Sequence, residues 1–450
     1  MKRRDFIKVA AGAALGTAAT RVARADVFKS ILPQTIMGAN EKIRTGHIGL
    51  GGMGSANLRF ALKRDDVQPI ALCDLFPPHM ERGVKQVKER YPEVSTHHDF
   101  REIIENKDID AVVISTPDHW HAIPSIMACD AGKDVWCEKP LSTTIEEGRA
   151  MVNAARRNKT VFQSGTMQRS GKHFQEAVQM VREGYVGKVA RVETWIHDGD
   201  SLDGIGNPPD ENPPDGCDWD FHQGWTHRVP FNKNRWIYNF RWFLDYSGGK
   251  VTDWGAHLID IALWGMGEDK QPESITTAGG KYILTDNRTT PDTLEAIWQF
   301  PDYVLTFSNR VFNNRLPLAG EGYKEASHGI VFYGTKGTLF VNRGGYEVLP
   351  MKRGDKIECE PRKADGTPLN DAHWQNFVDC IRSREKPISD VEVCYNTTRV
   401  CHMATCSYVA GCAQLGWDAE KERFTGKDRK AVKKANHWAY RPYENGWKLG

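Results

Sequence analysis

The chain has 450 residues, with 60 Lys+Arg against 58 Asp+Glu, a formal net charge of +2 and 26% charged residues. That balance argues against a nucleic-acid or anionic-membrane partner, and the length is ample for two domains. The ten cysteines include no C-x-x-C, and no Cys/His cluster has zinc-finger spacing, so no metal site is expected.

The chain opens MKRRDFIKVAAGAALGTAATRVARA. Its apolar stretch, Val9 to Ala19, is shorter than the roughly 20 residues a bilayer span needs. Ala23-Arg24-Ala25 offers a small-x-small cleavage site, so residues 1–25 read as a targeting segment outside the fold. The pair Arg3-Arg4 points to twin-arginine export of an already folded protein, and so to the periplasm. This segment holds six basic residues and one acid, so the rest of the chain is slightly acidic. Residues 26–42 read as an extended arm. No later run of 18 apolar residues occurs, which predicts no membrane insertion after signal removal.

From Ile43 to about Gly165, strand and helix signals alternate. Strands are predicted at 43–49, 69–74, 110–115, 134–138 and 160–164, with helices near 53–63, 78–89, 99–106, 120–131 and 144–157. Short connections between alternating elements predict a doubly wound parallel sheet, the Rossmann arrangement, over 43–165. After Gly165 come a helix at 172–183 and a strand from Lys188 to His197. Residues 198–250 are dense in Pro, Gly, Asp, Asn and Trp. A loop that long is functional or disordered, and its tryptophans argue for order. A helix near 253–265 precedes strand-like runs at 274–277, 294–300, 303–307, 329–334 and 337–341. Their hairpin-like spacing predicts a large, mostly antiparallel sheet in a second, α+β domain spanning 166–420. Next come helices near 371–383 and 390–415, the latter carrying Cys401, Cys406 and Cys412, then a charged tail, 421–450.

The strongest motif is GHIGLGGMG at 46–54. Gly49, Gly51 and Gly54 stand at G-x-G-x-x-G between a strand and a helix. The first glycine permits the tight turn, the second lets backbone approach a diphosphate, and the third lets helix and strand pack closely. Gly52 and Met53 would lend N–H groups at the helix start, where the dipole favours an anion. Asp74 ends the next strand, 20 residues after Gly54. A carboxylate there accepts from both ribose hydroxyls and repels a 2′-phosphate, and no arginine comes directly after it, so NAD(H) is expected over NADP(H). The alternative is a plain glycine turn with a surface aspartate.

Three further motifs stand later in the chain: Thr116-Pro117-Asp118-His119-Trp120-His121 after a strand, Glu138-Lys139-Pro140 after another, and Asp253-Trp-Gly-Ala-His257 on a helix. In this order and spacing they resemble the Gfo/Idh/MocA oxidoreductases, over roughly residues 43–415. The resemblance implies a Rossmann domain followed by an open antiparallel sheet, with a sugar, polyol or similar small substrate between nicotinamide and sheet. It implies cofactor contacts at Thr116, Pro117 and His121, and Gln168 near the nicotinamide. Many relatives carry Asn where this chain has Asp118. Exported members include enzymes that keep their cofactor bound, and NAD(H) is accordingly expected to be held tightly here. An open sheet face commonly pairs, so a homo-oligomer is expected.

Lys139 lies at a strand's carboxyl end, where ligand crevices form, and Pro140 restricts it to extended geometry. A lysine aimed there stabilises charge on a reacting oxygen, and Glu138 would line the cofactor site. Asp253 and His257, four apart, share a helix face; the acid would hold the imidazole tautomer while the other nitrogen takes a proton. Asp260 is an alternative orienting acid, and Asp253 is also placed to cap a helix after Gly248-Gly249. Within 198–250, Trp225, Arg235, Trp236, Tyr238 and Arg241 suit a carbohydrate rim, because aromatic faces stack on sugar C–H surfaces and a few polar groups orient hydroxyls. A tryptophan-rich subunit interface is the alternative for this segment. For the whole protein, an NAD-dependent glycoside hydrolase or lyase without net redox is the alternative to a dehydrogenase.

Overall fold

The structure is a computed structural model, and it describes residues 41–315 and 327–450. The targeting segment and nearly all of the arm fall outside the described residues. Six strands form the first sheet: β1 (Ile43–Ile48), β2 (Val67–Cys73), β3 (Ser95–His97), β4 (Ala111–Ile114), β5 (Asp134–Cys137) and β6 (Phe162–Ser164). Their order is β3-β2-β1-β4-β5-β6 and every pairing is parallel. β4 and β5 are buried throughout, as a sheet covered on both faces requires. The order reverses between β1 and β4, which opens the crevice at their carboxyl ends. Pro69 in β2 lacks an N–H, and the β1–β2 register shifts beside it, between Thr45 and Gly46.

The helices lie where the sequence puts them, to within two residues at nearly every end. The helix Ile145–Asn158 begins on a capping box: Thr144 accepts from the Glu147 N–H while the Glu147 side chain returns to the cap. β3 is a strand the sequence reading lacks, because three half-exposed residues at an edge carry no apolar alternation.

A ten-stranded sheet forms the second half. Its strands are β7 (Val189–His197), β8 (Ser274–Gly280), β9 (Thr293–Gln299), β10 (Val304–Arg310), β11 (His328–Gly334), β12 (Gly337–Asn342) and β13 (Gly345–Pro350). After a two-stranded hairpin of β14 (Lys352–Arg353) and β15 (Lys356–Ile357), the sheet is completed by β16 (Arg362–Asp365), β17 (Leu415–Asp418) and β18 (Arg423–Thr425). The order is β16-β13-β12-β11-β7-β10-β9-β8-β17-β18, and only β7 with β10 is parallel. β9 alternates strictly between buried and exposed residues, the mark of a sheet with one covered face. The helices Lys172–Arg182, Gly255–Met266 and Val391–Val409 cover that face.

Three expectations need correction. The last long helix ends at Val409, so Cys412 lies beyond it, with φ at +58°. Residues 421–450 are no loose tail: they supply β18 and the helix Arg429–Ala439, which buries Ala431, Ala435 and Ala439 against the core. Small alanines on the buried stripe of a Lys-rich helix hid that packing. β13 was also missed, because Gly344-Gly345 and Pro350 bracket it as if it were a turn.

Candidate active site

A cavity of about 470 Å³ opens at the carboxyl ends of β1, β2, β4 and β5 and runs to the second sheet. Its lower wall is the glycine turn. Gly49 has φ at +85°, and a Cβ there would lie 2.7 Å from the Ser115 backbone. A Cβ on Gly54 would lie 1.9 Å from the Gly49 carbonyl oxygen, whereas one on Gly52 would meet nothing within 4 Å. Gly49 and Gly54 thus close the turn, while a Cβ on Gly51 would make only an ordinary contact with the His79 ring at 3.5 Å. No side chain caps the helix Gly52–Leu62, and its first turn carries no acid. Its leading N–H groups are free for an anion. This cradle fits a dinucleotide diphosphate, with Gly49, Gly51, Gly52 and Met53 lining it and Gly54 behind.

Asp74 lines the same wall. Its carboxylate accepts from the Leu50 N–H (2.6 Å) and the Phe76 N–H (2.8 Å), with His79 Nδ1 at 3.4 Å. Those bonds fix the acid at the mouth, and its remaining lone pairs suit ribose hydroxyls.

Thr116 and Pro117 line the cavity beside Ser115. His121 sits below them with Nδ1 2.7 Å from the Pro140 carbonyl and Nε2 3.0 Å from that of Thr116. Burial pushes its pKa down. Glu138 accepts from Asn57 Nδ2 (2.8 Å) and Trp136 Nε1 (3.2 Å). A Cβ on Gly165 would lie 2.5 Å from that carboxylate, so glycine is required there.

The Lys139–Pro140 bond is cis. Lys139 Nζ donates to Asp253 Oδ1 at 2.5 Å and to the Asp253 carbonyl at 2.9 Å. Arg241 Nε stands 3.6 Å from the same carboxylate oxygen. Burial alone would raise the Asp253 pKa, but Lys139 and Arg241 overrule it and hold the carboxyl well below the usual range. His257 lines the cavity near Lys139, and its Nδ1 is buried with no hydrogen-bond partner among the described residues. Burial first, then Lys139 and Arg343, drive its pKa well down, so the imidazole is neutral at pH 7.

The expected Asp253–His257 pairing is therefore corrected: Asp253 serves Lys139, not the imidazole. Spacing placed both on one face, but a short helix, Lys250–Asp253, stops before Gly255–Met266 begins, with Trp254 between. Asp253 ends the first helix rather than capping one. Asp260 is no orienting acid either; it pairs with Arg169 at 2.7 Å and accepts from Thr397. Gln168 does not line the cavity. It donates to the His257 carbonyl (2.9 Å) and accepts from Arg343 Nε (3.1 Å), while Met167 takes the lining position.

Of the residues singled out in 198–250, Trp236, Tyr238 and Arg241 line the cavity. Trp225 and Arg235 do not. Trp225 is buried, donates to the His119 carbonyl (2.6 Å) and stacks on Tyr443, while Arg235 pairs with Asp245. The segment is built round its own cluster of Trp219, Phe231, Trp236, Phe240, Trp242, Phe243 and Tyr246. Those buried tryptophans are packed inside the chain, not offered as an interface.

Among the wall residues that sequence reasoning did not assign to the site are Asp118, Trp254 and Arg343. Asp118 is buried, takes a hydrogen bond from Ser247 Oγ, and is pushed up to about 6 by burial. Trp254 was visible only as a spacer within the motif. Arg343 comes after β12 in Asn-Arg-Gly-Gly, a turn with no signal of chemistry. Among the described residues, no group of three or more His, Cys, Asp or Glu is placed to hold a metal ion, and no helix is long and apolar enough to cross a membrane.

Similarity to known proteins covers both walls. Residues 43–166 match the family model described as "Oxidoreductase family, NAD-binding Rossmann fold", and residues 213–340 match the "GFO/IDH/MocA C-terminal domain". Among curated relatives, an alpha-N-acetylgalactosaminidase of Shewanella oneidensis is 29% identical over 211 residues, 44% of this chain and 46% of that protein. A glycosyl hydrolase family 109 protein of Stenotrophomonas maltophilia is 32% identical over 237 residues, 50% and 49% of the two chains. The chain thus spans about half the length of the curated relatives it matches. Among solved structures, a levoglucosan dehydrogenase in complex with NADH superposes with a TM-score of 0.63 at 18% identity, over 84% of this chain and 99% of that one. An aldose-aldose oxidoreductase from Caulobacter crescentus gives 0.60 at 18%, over 84% and 100%. At such identities the likeness is one of fold. Together the two family models cover more than half of the sequence, and the chain belongs to the Gfo/Idh/MocA oxidoreductase family, with its NAD-binding Rossmann domain.

Proposed function

We propose that this protein is an NAD(H)-dependent oxidoreductase acting on a hydroxyl of a sugar, polyol or glycoside, or on the matching ketone. The observation that carries the reading is the meeting of Lys139 and a neutral, buried His257 in the cavity that the glycine cradle also lines. Bound NAD would supply the acceptor for the hydride that leaves the carbinol carbon. The cradle at Gly49, Gly51, Gly52 and Met53 would take the diphosphate, Asp74 the ribose, and Thr116, Pro117, His121 and Glu138 the wall beside them. His257, kept neutral by burial, accepts the hydroxyl proton. Lys139, held by Asp253, donates to the reacting oxygen and stabilises its growing charge. Asp253 is the positioning residue for that lysine. Trp236, Tyr238 and Arg241 would contact the sugar body.

A second reading has support in the names of the relatives, which are glycosidases. There the same groups would oxidise transiently, a leaving group would depart, and NAD would be restored. We infer from the family resemblance that the cofactor is retained; Asp74 favours NAD over NADP, and the open sheet face favours a homo-oligomer. Arg3-Arg4 supports twin-arginine export to the periplasm.

Purified full-length protein tests these readings. Free sugars should give steady NADH absorbance with the dehydrogenase. Release of an aglycone from glycosides without net NADH would establish the hydrolase instead. Lys139→Ala should cut turnover by about 10² to 10⁴ while NAD remains bound; unchanged turnover would remove Lys139 from the chemistry.

A further inference from the structure

Arg343 is a cation in the cavity wall without a counter-charge of its own. Its guanidinium makes one hydrogen bond among the described residues, from Nε to Gln168 Oε1 at 3.1 Å. Its plane lies over the Trp254 ring, 4.7 Å from the centroid. The two terminal nitrogens have no partner among the described residues, and no carboxylate there lies within ion-pair distance. The one acid that acts on it electrostatically is Asp253, already engaged by Lys139 at 2.5 Å and approached by Arg241 at 3.6 Å. Asp253 thus faces Lys139, Arg241, Lys250 and Arg343, and Arg343 lies beyond ion-pair distance of it.

A partly buried guanidinium with an empty fork is costly to keep unless something answers it. Here the fork is held from two sides, by Gln168 at Nε and by Trp254 under the plane, so it is set before any ligand arrives. Planar forks of this kind match carboxylates with two parallel hydrogen bonds. The cofactor does not claim it: the diphosphate cradle belongs to the Gly49–Gly54 turn, whereas the contacts of Arg343 belong to the opposite wall. Arg343 stands close enough to His257 to depress its protonation, which puts the fork beside the proposed proton acceptor.

We infer that the substrate is an anionic sugar whose oxyanion, a carboxylate or a phosphate ester, is bound by Arg343. The inference rests on the sugar-oxidoreductase reading above and narrows its substrate class. Gln168 and Trp254 act as positioning residues for the arginine.

The test is a fluorescence titration of the full-length holoprotein, using Trp254 beside the fork as reporter, with NADH absorbance read in parallel. Hexuronates and hexose 6-phosphates are compared with their parent sugars in the gluco, galacto and manno series. At least one anionic member should bind about tenfold or more tighter than its parent, and salt should weaken that preference. Arg343→Gln should abolish the preference for the anion over its parent, whatever it does to the parent's own binding, and Arg343→Lys should restore part of the difference. Preference for the carboxylate or for the phosphate identifies the oxyanion. Parents binding as tightly as every anion, or Arg343→Gln leaving the preference intact, overturns the inference. Anion binding without NADH or aglycone release sinks the hydride-transfer reading alone. Turnover of neutral sugars with the acids ignored sinks this inference alone.

Discussion

The lower and upper walls of the cavity obey different rules. Gly49, Gly54, Asp74, Glu138 and Lys139 all stand within a few residues of the end of a parallel strand, and strand register places them. The upper wall is an irregular segment, 198–250, held by its aromatic cluster and by the C-terminal residues. Arg441 donates to the Leu244 carbonyl, Asn445 to those of Gly224 and Thr226, and Tyr443 stacks on Trp225 at 4.3 Å. Backbone geometry specifies the first wall and distant side chains the second. A cofactor site built on backbone tolerates little change, whereas a substrate wall built on side chains can be altered one residue at a time.

The largest expected effect comes from breaking the backbone wall. In Gly54→Val the added Cβ would sit 1.9 Å from the Gly49 carbonyl oxygen, so the turn must move. Overpacking of this kind costs about 1–3 kcal/mol or more. NAD binding by calorimetry should fall at least about a hundredfold, since a diphosphate site cannot survive a displaced turn. The far-ultraviolet circular dichroism of Gly54→Val, matched to wild type, is the folding control. Undiminished affinity in Gly54→Val would show that the turn does not define the site.

That contrast also explains what the sequence could tell. The Rossmann half was legible because apolar runs such as Ala111–Ile114 end in motifs whose glycines have local steric reasons. Asp74 and Lys139 reached the cavity for the same cause, and His257 through a short motif on a helix of the second half. Asp253 was placed with the right neighbours and the wrong partner: i, i+4 spacing assumes one continuous helix, and the chain breaks it at Trp254. Gln168 and Arg343 form a bridge across 175 residues, and no local pattern encodes such a contact. Trp225 and Arg235 looked like sugar contacts by composition, and only the packing shows one buried and the other ion-paired.

Asp118 joins the two walls, its own residue below and Ser247 above. Burial raises its pKa to about 6, against about 3.9 in an unfolded chain. A raised folded pKa contributes stability that is fully present below the unfolded value and lost as pH rises through the folded one. The penalty for the buried carboxylate therefore grows between about pH 4 and pH 6 and reaches about 2–3 kcal/mol at most. Asp118→Asn should gain melting temperature relative to wild type as pH rises from 4 to 7, with the gap constant above that. Asp253, held below the usual range, behaves oppositely, losing its contribution only as pH falls below about 4, outside this window. A melting difference that stays flat from pH 4 to 8 would mean Asp118 is not desolvated as the structure has it.

The smallest expected effect lies behind the upper wall. Trp447 does not line the cavity, but it meets Trp120 edge-on at 4.8 Å and Phe221 at 5.8 Å, and both of those do. Each such aromatic pair is worth about 0.5–1.5 kcal/mol beyond its buried area. Trp447→Ala should lower the melting temperature by several degrees and raise the KM for the sugar substrate about two- to fivefold. The kcat should be unchanged, because Lys139 and His257 take their geometry from other elements. A fall in kcat with KM intact would mean that the C-terminal residues act on the chemistry itself, and the separation between a backbone-built and a side-chain-built wall would not hold.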